Sequence, residues 1–175
     1  MIRNHDNTTF VFCSPYTKDA SPEMNAHLVE HGDGVKDIAL TVENTRAVYE
    51  HAIKNGGISV REPYELTDEN GTVVLATIQT YGDTTHTFVE RQNYKGSFLP
   101  GYRPHHLKEY FNTILPKIRF EKVDHVVGNQ PDLKMESAVQ YYEKTLQFHR
   151  FWSVDDSIIH TSYSSLRSIV VADFD

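Results

Sequence analysis

Asp37-Ile38-Ala39-Leu40-Thr41-Val42-Glu43 and, 87 residues further on, Asp124-His125-Val126-Val127 are the two stretches whose superposition decides the fold. Each has the alternation of a half-buried strand, and each leads toward a helical pattern followed by further strand candidates. Behind the first, Asn44 or Thr45 can cap a helix running to about Lys54 and closed by Gly56 and Gly57. Strands are then predicted over Ile58 to Tyr64, Thr72 to Thr80 and Thr84 to Arg91, separated by the turn signals Asp68-Glu69-Asn70-Gly71 and Tyr81-Gly82-Asp83. The second lies in a strand predicted over Phe120 to Val127; behind it a helix is predicted over Met135 to Leu146, with Met135, Ala138, Val139, Tyr142 and Leu146 on one face, and strands over Phe148 to Val154, Ser157 to Tyr163 and Leu166 to Ala172. The order βαβββ therefore occurs twice, as an internal repeat of element order with low identity between the copies.

Outward from the repeat, Thr8 to Phe12 has strand character without a preceding element, and Glu23 to His31 a weaker helical pattern ending at Gly32 and Gly34. Between the copies, Tyr94 to Lys117 mixes Pro and Gly with Tyr94, Phe98, Tyr102, Tyr110 and Phe111, an ordered connector whose aromatics need something to dock against. The organisation read from the residues is α+β: 1–34 ahead of the repeat, 35–93 one βαβββ module, 94–117 the connector, and 118–175 another βαβββ module.

At 175 residues, 39% hydrophobic and 23% charged, the chain can bury a core. Its formal net charge of −7 argues against a nucleic-acid surface, and no apolar run approaches the roughly 20 residues of a membrane span. Cys13 is the only cysteine, which rules out an intrachain disulfide and a thiolate metal cage and fits a reducing, cytoplasmic setting. No phosphate-binding glycine motif follows a strand. Cys13 has no evident base beside it, and Trp152 next to Phe151 reads as core or interface.

The informative difference between the copies is His125, which stands where the first copy has Ile38. A histidine among Val123, Val126 and Val127 needs partners for its nitrogens. On the residues alone three roles stay open: a core histidine bonded to backbone or to Asp124, a neutral metal ligand, or a general base. No second ligand stands at metal-binding spacing. His105 and His106 read as connector surface, His27, His31 and His51 as helix residues, and His5, His86, His149 and His160 as strand or strand-edge residues.

Longer strings carry a resemblance. Asp124-His125-Val126-Val127-Gly128-Asn129-Gln130-Pro131-Asp132, Leu146-Gln147-Phe148-His149-Arg150-Phe151-Trp152-Ser153-Val154-Asp155-Asp156 and Tyr163-Ser164-Ser165-Leu166-Arg167-Ser168-Ile169-Val170-Val171-Ala172 closely resemble the 4-hydroxyphenylpyruvate dioxygenases of animal type. So do His31-Gly32-Asp33-Gly34-Val35-Lys36-Asp37-Ile38-Ala39, Gln79-Thr80-Tyr81-Gly82-Asp83-Thr84-Thr85-His86-Thr87 and Phe98-Leu99-Pro100-Gly101-Tyr102.

The resemblance implies the vicinal oxygen chelate (glyoxalase-like) fold of repeated βαβββ modules, with residues 1–34 a remnant of a first module, 35–93 a second and metal-free structural module, and 118–175 a third that forms the first half of the catalytic domain. It also implies an Fe(II) enzyme that converts 4-hydroxyphenylpyruvate and dioxygen to homogentisate and carbon dioxide in tyrosine and phenylalanine catabolism. The iron of that family is held by two histidines and a glutamate. The first histidine carries over to His125, and a serine lining the substrate pocket to Ser168. The other two ligands belong to a further module, so the chain reads as a piece truncated at both ends, and its open sheet favours a homo-oligomer.

A glyoxalase-like isomerase or an extradiol-type dioxygenase of the same fold is the competing enzyme reading, and a non-catalytic structural module the third. The enzyme alternative needs a carboxylate partner, and the chief candidate, Glu90, sits in the copy that lacks the histidine. With one ligand of three, a polypeptide of these 175 residues alone is expected to form no homogentisate above a metal-only blank, as an assay with added Fe(II) will show.

Overall fold

The computed structural model describes residues 2–3, 8–105, 110–116 and 120–173, so His5 and His106 lie outside the described residues. The chain divides into two compact units, one of residues 1–34 and 104–128, the other of residues 35–103 and 129–175.

In the first unit, β1 (Ile2–Arg3) pairs antiparallel with β2 (Thr9–Phe10), which is the strand predicted over Thr8 to Phe12 in shorter form. Helix α1 (Pro22–His31) starts where Ser21 Oγ accepts from the Met24 N–H, with Pro22 in its first turn, and stops at Gly32, whose φ of +68° is open to glycine at little cost.

The second unit opens with β3 (Leu40–Thr41), α2 (Thr45–Lys54), β4 (Ile58–Asp68), β5 (Gly71–Gln79) and β6 (Thr85–Glu90), the βαβββ order expected. Asn44 caps α2 by accepting from the Ala47 N–H at 2.9 Å. The sheet runs β3-β6-β5-β4, with β3 parallel to β6 and the other pairs antiparallel.

Period-two alternation sends Val73 and Leu75 of β5 to one face and Ala76 and Ile78 to the other. The second face, with Phe88, packs on Tyr49 and Ala52 of α2, and Leu40, Val42 and Val48 complete that cluster. On the first face Val73 and Leu75 meet Tyr94, with Tyr64, Leu66, Val89 and Leu99 around them. The start of the connector docks here, whereas Tyr102, Tyr110 and Phe111, also expected to dock, are exposed: Tyr94 donates to Asp68 Oδ2 at 3.0 Å, and a Cβ on Gly71 would lie 2.1 Å from the Asn93 carbonyl oxygen. The connector also holds the one-turn helix α3 (Phe111–Ile114), which falls in the first unit.

After residue 128 the second unit resumes with α4 (Met135–Leu146), on its predicted boundaries, then β7 (His149–Val154) and β8 (Ser168–Ala172). Tyr141 and Leu146 of α4 pack against the Tyr49–Phe88 cluster, so the second copy's helix shares the first copy's core.

The second copy departs from the expected order in two places. Phe120 to Val127 forms no strand, and Phe120, Val123, Val126 and Val127 are exposed. Alternation supplies a face but not a ladder partner, and among the described residues this stretch has none. Ser157 to Tyr163 is likewise not a strand. Asp155 turns that segment back on itself, its side chain accepting from the Ser157 N–H at 3.0 Å and its carbonyl from the N–H of Ile158 and Ile159. Such local bonds satisfy groups that a ladder would otherwise use. In consequence β8 pairs directly with β7, as the second strand of its copy where sequence reading made it the fourth.

Phe88 is fully buried at the centre of the shared core. Phe88→Ala is expected to cost about 3–5 kcal/mol, read as a lowered urea midpoint at unchanged m-value.

Candidate functional site

His125 lies in the first unit and Ser168 in the second. The His125 imidazole is exposed, and its Nδ1 stands 2.7 Å from Asp124 Oδ2. A carboxylate oxygen accepts only, so Nδ1 carries the proton, and in the neutral ring the free lone pair is that of Nε2. Of the three roles open from sequence, the core histidine is excluded by this exposure. A neutral imidazole whose far nitrogen is fixed by a carboxylate is the donor arrangement found at metal-binding histidines.

Ser168 is the first residue of β8, half-buried and opposite Val154 of β7. Period two puts it on one face with Val170 and Ala172, while Ile169 takes the other. A shallow cavity of about 190 Å³ is lined by Arg150, Phe151, Trp152, Ser153 and Ile169; Ser168 is not in its wall. Phe151 and Trp152 are exposed, contrary to a core reading of that pair. A register shift between Arg150 and Trp152 leaves Phe151 unpaired and turns the strand's face there.

Arg150 ties this hairpin to α4. Its guanidinium donates to Glu143 Oε1 at 3.0 Å and pairs both Glu136 carboxylate oxygens, and that hydrogen bonding holds the Glu136 carboxyl below the usual carboxylate range. At the other end of the hairpin Arg167 donates to Asp156 Oδ2 at 2.6 Å, so a single charged pair ties the two ends of the loop between β7 and β8 to each other. Sequence reading passed over Arg150; the signal was present as Glu136 and Glu143, two turns apart on α4 and on one face.

In the first copy the equivalents are committed elsewhere. Ile38 donates its N–H to Thr85 O and accepts at its carbonyl from His86, and Glu90 Oε2 accepts from the Thr45 N–H at the start of α2 at 2.9 Å. The carboxylate that an isomerase or extradiol reading required is therefore a helix N-terminal partner.

No protein-family model matches the chain. Among curated proteins it is similar to the 4-hydroxyphenylpyruvate dioxygenase of Tetrahymena thermophila, 52% identical over 177 residues that make up all of this chain and 44% of that protein. Proteins of the same name from Dictyostelium discoideum and Xenopus tropicalis are 51% and 48% identical, over 98% and 97% of this chain and 47% and 43% of their own. The chain thus spans under half the length of the curated relatives it matches.

Among solved structures, a triple mutant of 4-hydroxymandelate synthase from Streptomyces coelicolor superposes with a TM-score of 0.58 at 17% identity, over 90% of this chain and 41% of that one. That likeness concerns the fold, which is the α+β vicinal oxygen chelate architecture.

Because Arg150 crosses from β7 to α4, Arg150→Met is expected to raise amide exchange in β8, with the gap from the parent closing as salt is added. Unchanged β8 exchange at low salt would show that the clamp contributes nothing.

Proposed function

We propose that this chain, whose sequence sets it among the 4-hydroxyphenylpyruvate dioxygenases, is part of a non-haem Fe(II) dioxygenase forming homogentisate and carbon dioxide from 4-hydroxyphenylpyruvate and dioxygen. The observation that carries this reading is near-50% identity over the whole chain to proteins of that name, together with an imidazole already set up as a donor. His125 would supply one ligand through Nε2, with Asp124 holding Nδ1 protonated and the ring oriented. The other two protein ligands come from the further module that the family resemblance implies. Bound there, Fe(II) supplies open positions for a 2-oxo acid and for dioxygen.

The residues of this chain then have defined tasks. Asp124 keeps the imidazole in one tautomer and strengthens its free nitrogen as a donor. Ser168 offers a hydroxyl, donor and acceptor at once, to a polar group of the substrate, and the β7–β8 ladder with the Arg150 clamp fixes that hydroxyl's position. Ile38 and Glu90, held in backbone and helix-end bonds, leave the first copy structural. No helix among the described residues is long and apolar enough to cross a membrane, and the free, exposed Cys13 suits a reducing cytoplasm. The exposed Phe151 and Trp152 suit a homo-oligomer.

In the intact protein, His125→Ala is expected to lose bound iron and homogentisate formation while retaining its circular dichroism. Asp124→Asn should weaken iron binding about 10- to 100-fold. Iron occupancy unchanged in His125→Ala, measured by elemental analysis after gel filtration, would remove the ligand role. Ser168→Ala is expected to raise KM for the 2-oxo acid more than it lowers kcat.

A further inference from the structure

Helix α1 carries a histidine pair that the proposed reaction does not use. His27 and His31 stand four residues apart, one turn along the same face. Their ring centroids are 4.6 Å apart with the planes tilted by 51°, and a ring nitrogen of one lies within 4.8 Å of a ring nitrogen of the other. Two imidazoles that bind one ion at roughly 2.1 Å have their ring centres about 5 Å apart. The rings therefore already hold the separation that a shared ion needs, and small rotations of the imidazoles close the gap between the nitrogens.

We propose that His27 and His31 chelate a borderline divalent transition ion, zinc in the first instance, which staples the C-terminal half of α1. The segment His27-Leu28-Val29-Glu30-His31 reads His-x-x-Glu-His, a spacing that on a helix presents two histidines to one zinc ion with the glutamate beside them. The helix that this pattern requires is present. Each neutral imidazole supplies one lone pair, and a Glu30 carboxylate oxygen 3.9 Å from His31 Nε2 can accept from a water on the ion. Zinc, nickel and copper ions favour such imidazole donors, whereas Mg²⁺ and Ca²⁺ favour oxygen.

The place of the pair in the helix suits a cation. His31 is in the last turn, where the helix dipole presents its negative end, and Glu23, one turn before His27, adds a second carboxylate along the same stripe. All four side chains belong to α1, in the first unit, so the site stands apart from the iron reading of His125 and needs nothing from it.

The helix is also built to respond. It has 10 residues, none of them buried, and is shorter than the roughly 12–15 at which an isolated helix holds in water. Its ends rest on the Ser21 cap and on Gly32, whose N–H donates to Leu28 O at 2.9 Å. An ion shared by residues 27 and 31 is bound by both only while that turn is helical, so its binding free energy stabilises the turn. By linkage, zinc at about ten times its half-saturating concentration lowers the opening of the turn about tenfold.

The test is a zinc titration of the iron-loaded intact protein at constant pH, with amide exchange followed by mass spectrometry in α1 and, as an internal reference, in α2. Exchange in the C-terminal half of α1 is expected to slow about tenfold at about ten times half-saturation while α2 is unchanged, which also separates this site from zinc entering the iron centre. His27→Gln and His31→Gln should each abolish the slowing, and Mg²⁺ should not produce it. Unaltered α1 exchange in zinc overturns the proposal, as does slowing that persists in either variant, that Mg²⁺ reproduces, or that α2 shares. If a variant no longer forms α1, the contrast between zinc and Mg²⁺ in the parent protein decides alone.

Discussion

Three alternate residues of β6 carry the architecture of the larger unit. Glu90 receives the N-terminus of α2, Phe88 fills the space between sheet and helices, and His86 takes the tyrosine of α4. Because a strand sends every second side chain to one face, these three act from a single surface about 13 Å long, at roughly 3.3 Å per residue. What that surface receives is one helix from each copy of the repeat. A one-residue slip of β6 against β5 would turn all three away, so the register of this strand pair constrains both helices together.

The first copy was legible almost throughout because its signals agree across levels. Asn44 caps, the glycines after Lys54 stop the helix, and Gly71 takes a φ of +123° in the tight turn where the connector also presses close. The helix of the second copy was legible for the same reason. Its strands were less so, since Ser157 to Tyr163 has strand composition but Asp155 and Thr161 supply nearby acceptors that close local turns. Composition reports what a backbone can do, whereas pairing depends on which partner is close enough to compete.

The candidate site divides in the same way. That His125 differs from a core residue was visible in the contrast with Ile38, but the burial that would separate ligand from core histidine was not, and valine neighbours pointed the wrong way. Asp124 was named beside His125 as a bonding partner before any geometry was known, because adjacent residues need no fold to meet. Arg150 was invisible for the converse reason: its partners lie on another element, and only the packing of β7 along α4 brings the three charges together.

The two copies differ in how their polar groups are engaged, and under the proposed function that difference separates scaffold from chemistry. In the first, every polar group at the positions of interest is spent inside the fold: Glu90 on a helix end, His86 on a carbonyl and a phenol, Ile38 on two backbone bonds. Such groups are expensive to withdraw, because each leaves a buried partner unsatisfied. In the second, His125 makes one side-chain bond to its neighbour and leaves the Nε2 lone pair free. A ligand has to be available at the moment a metal arrives. Rigidity inside the first copy and an uncommitted donor in the second are therefore complementary, the bonds that fix one set of residues being those that a reactive set has to forgo.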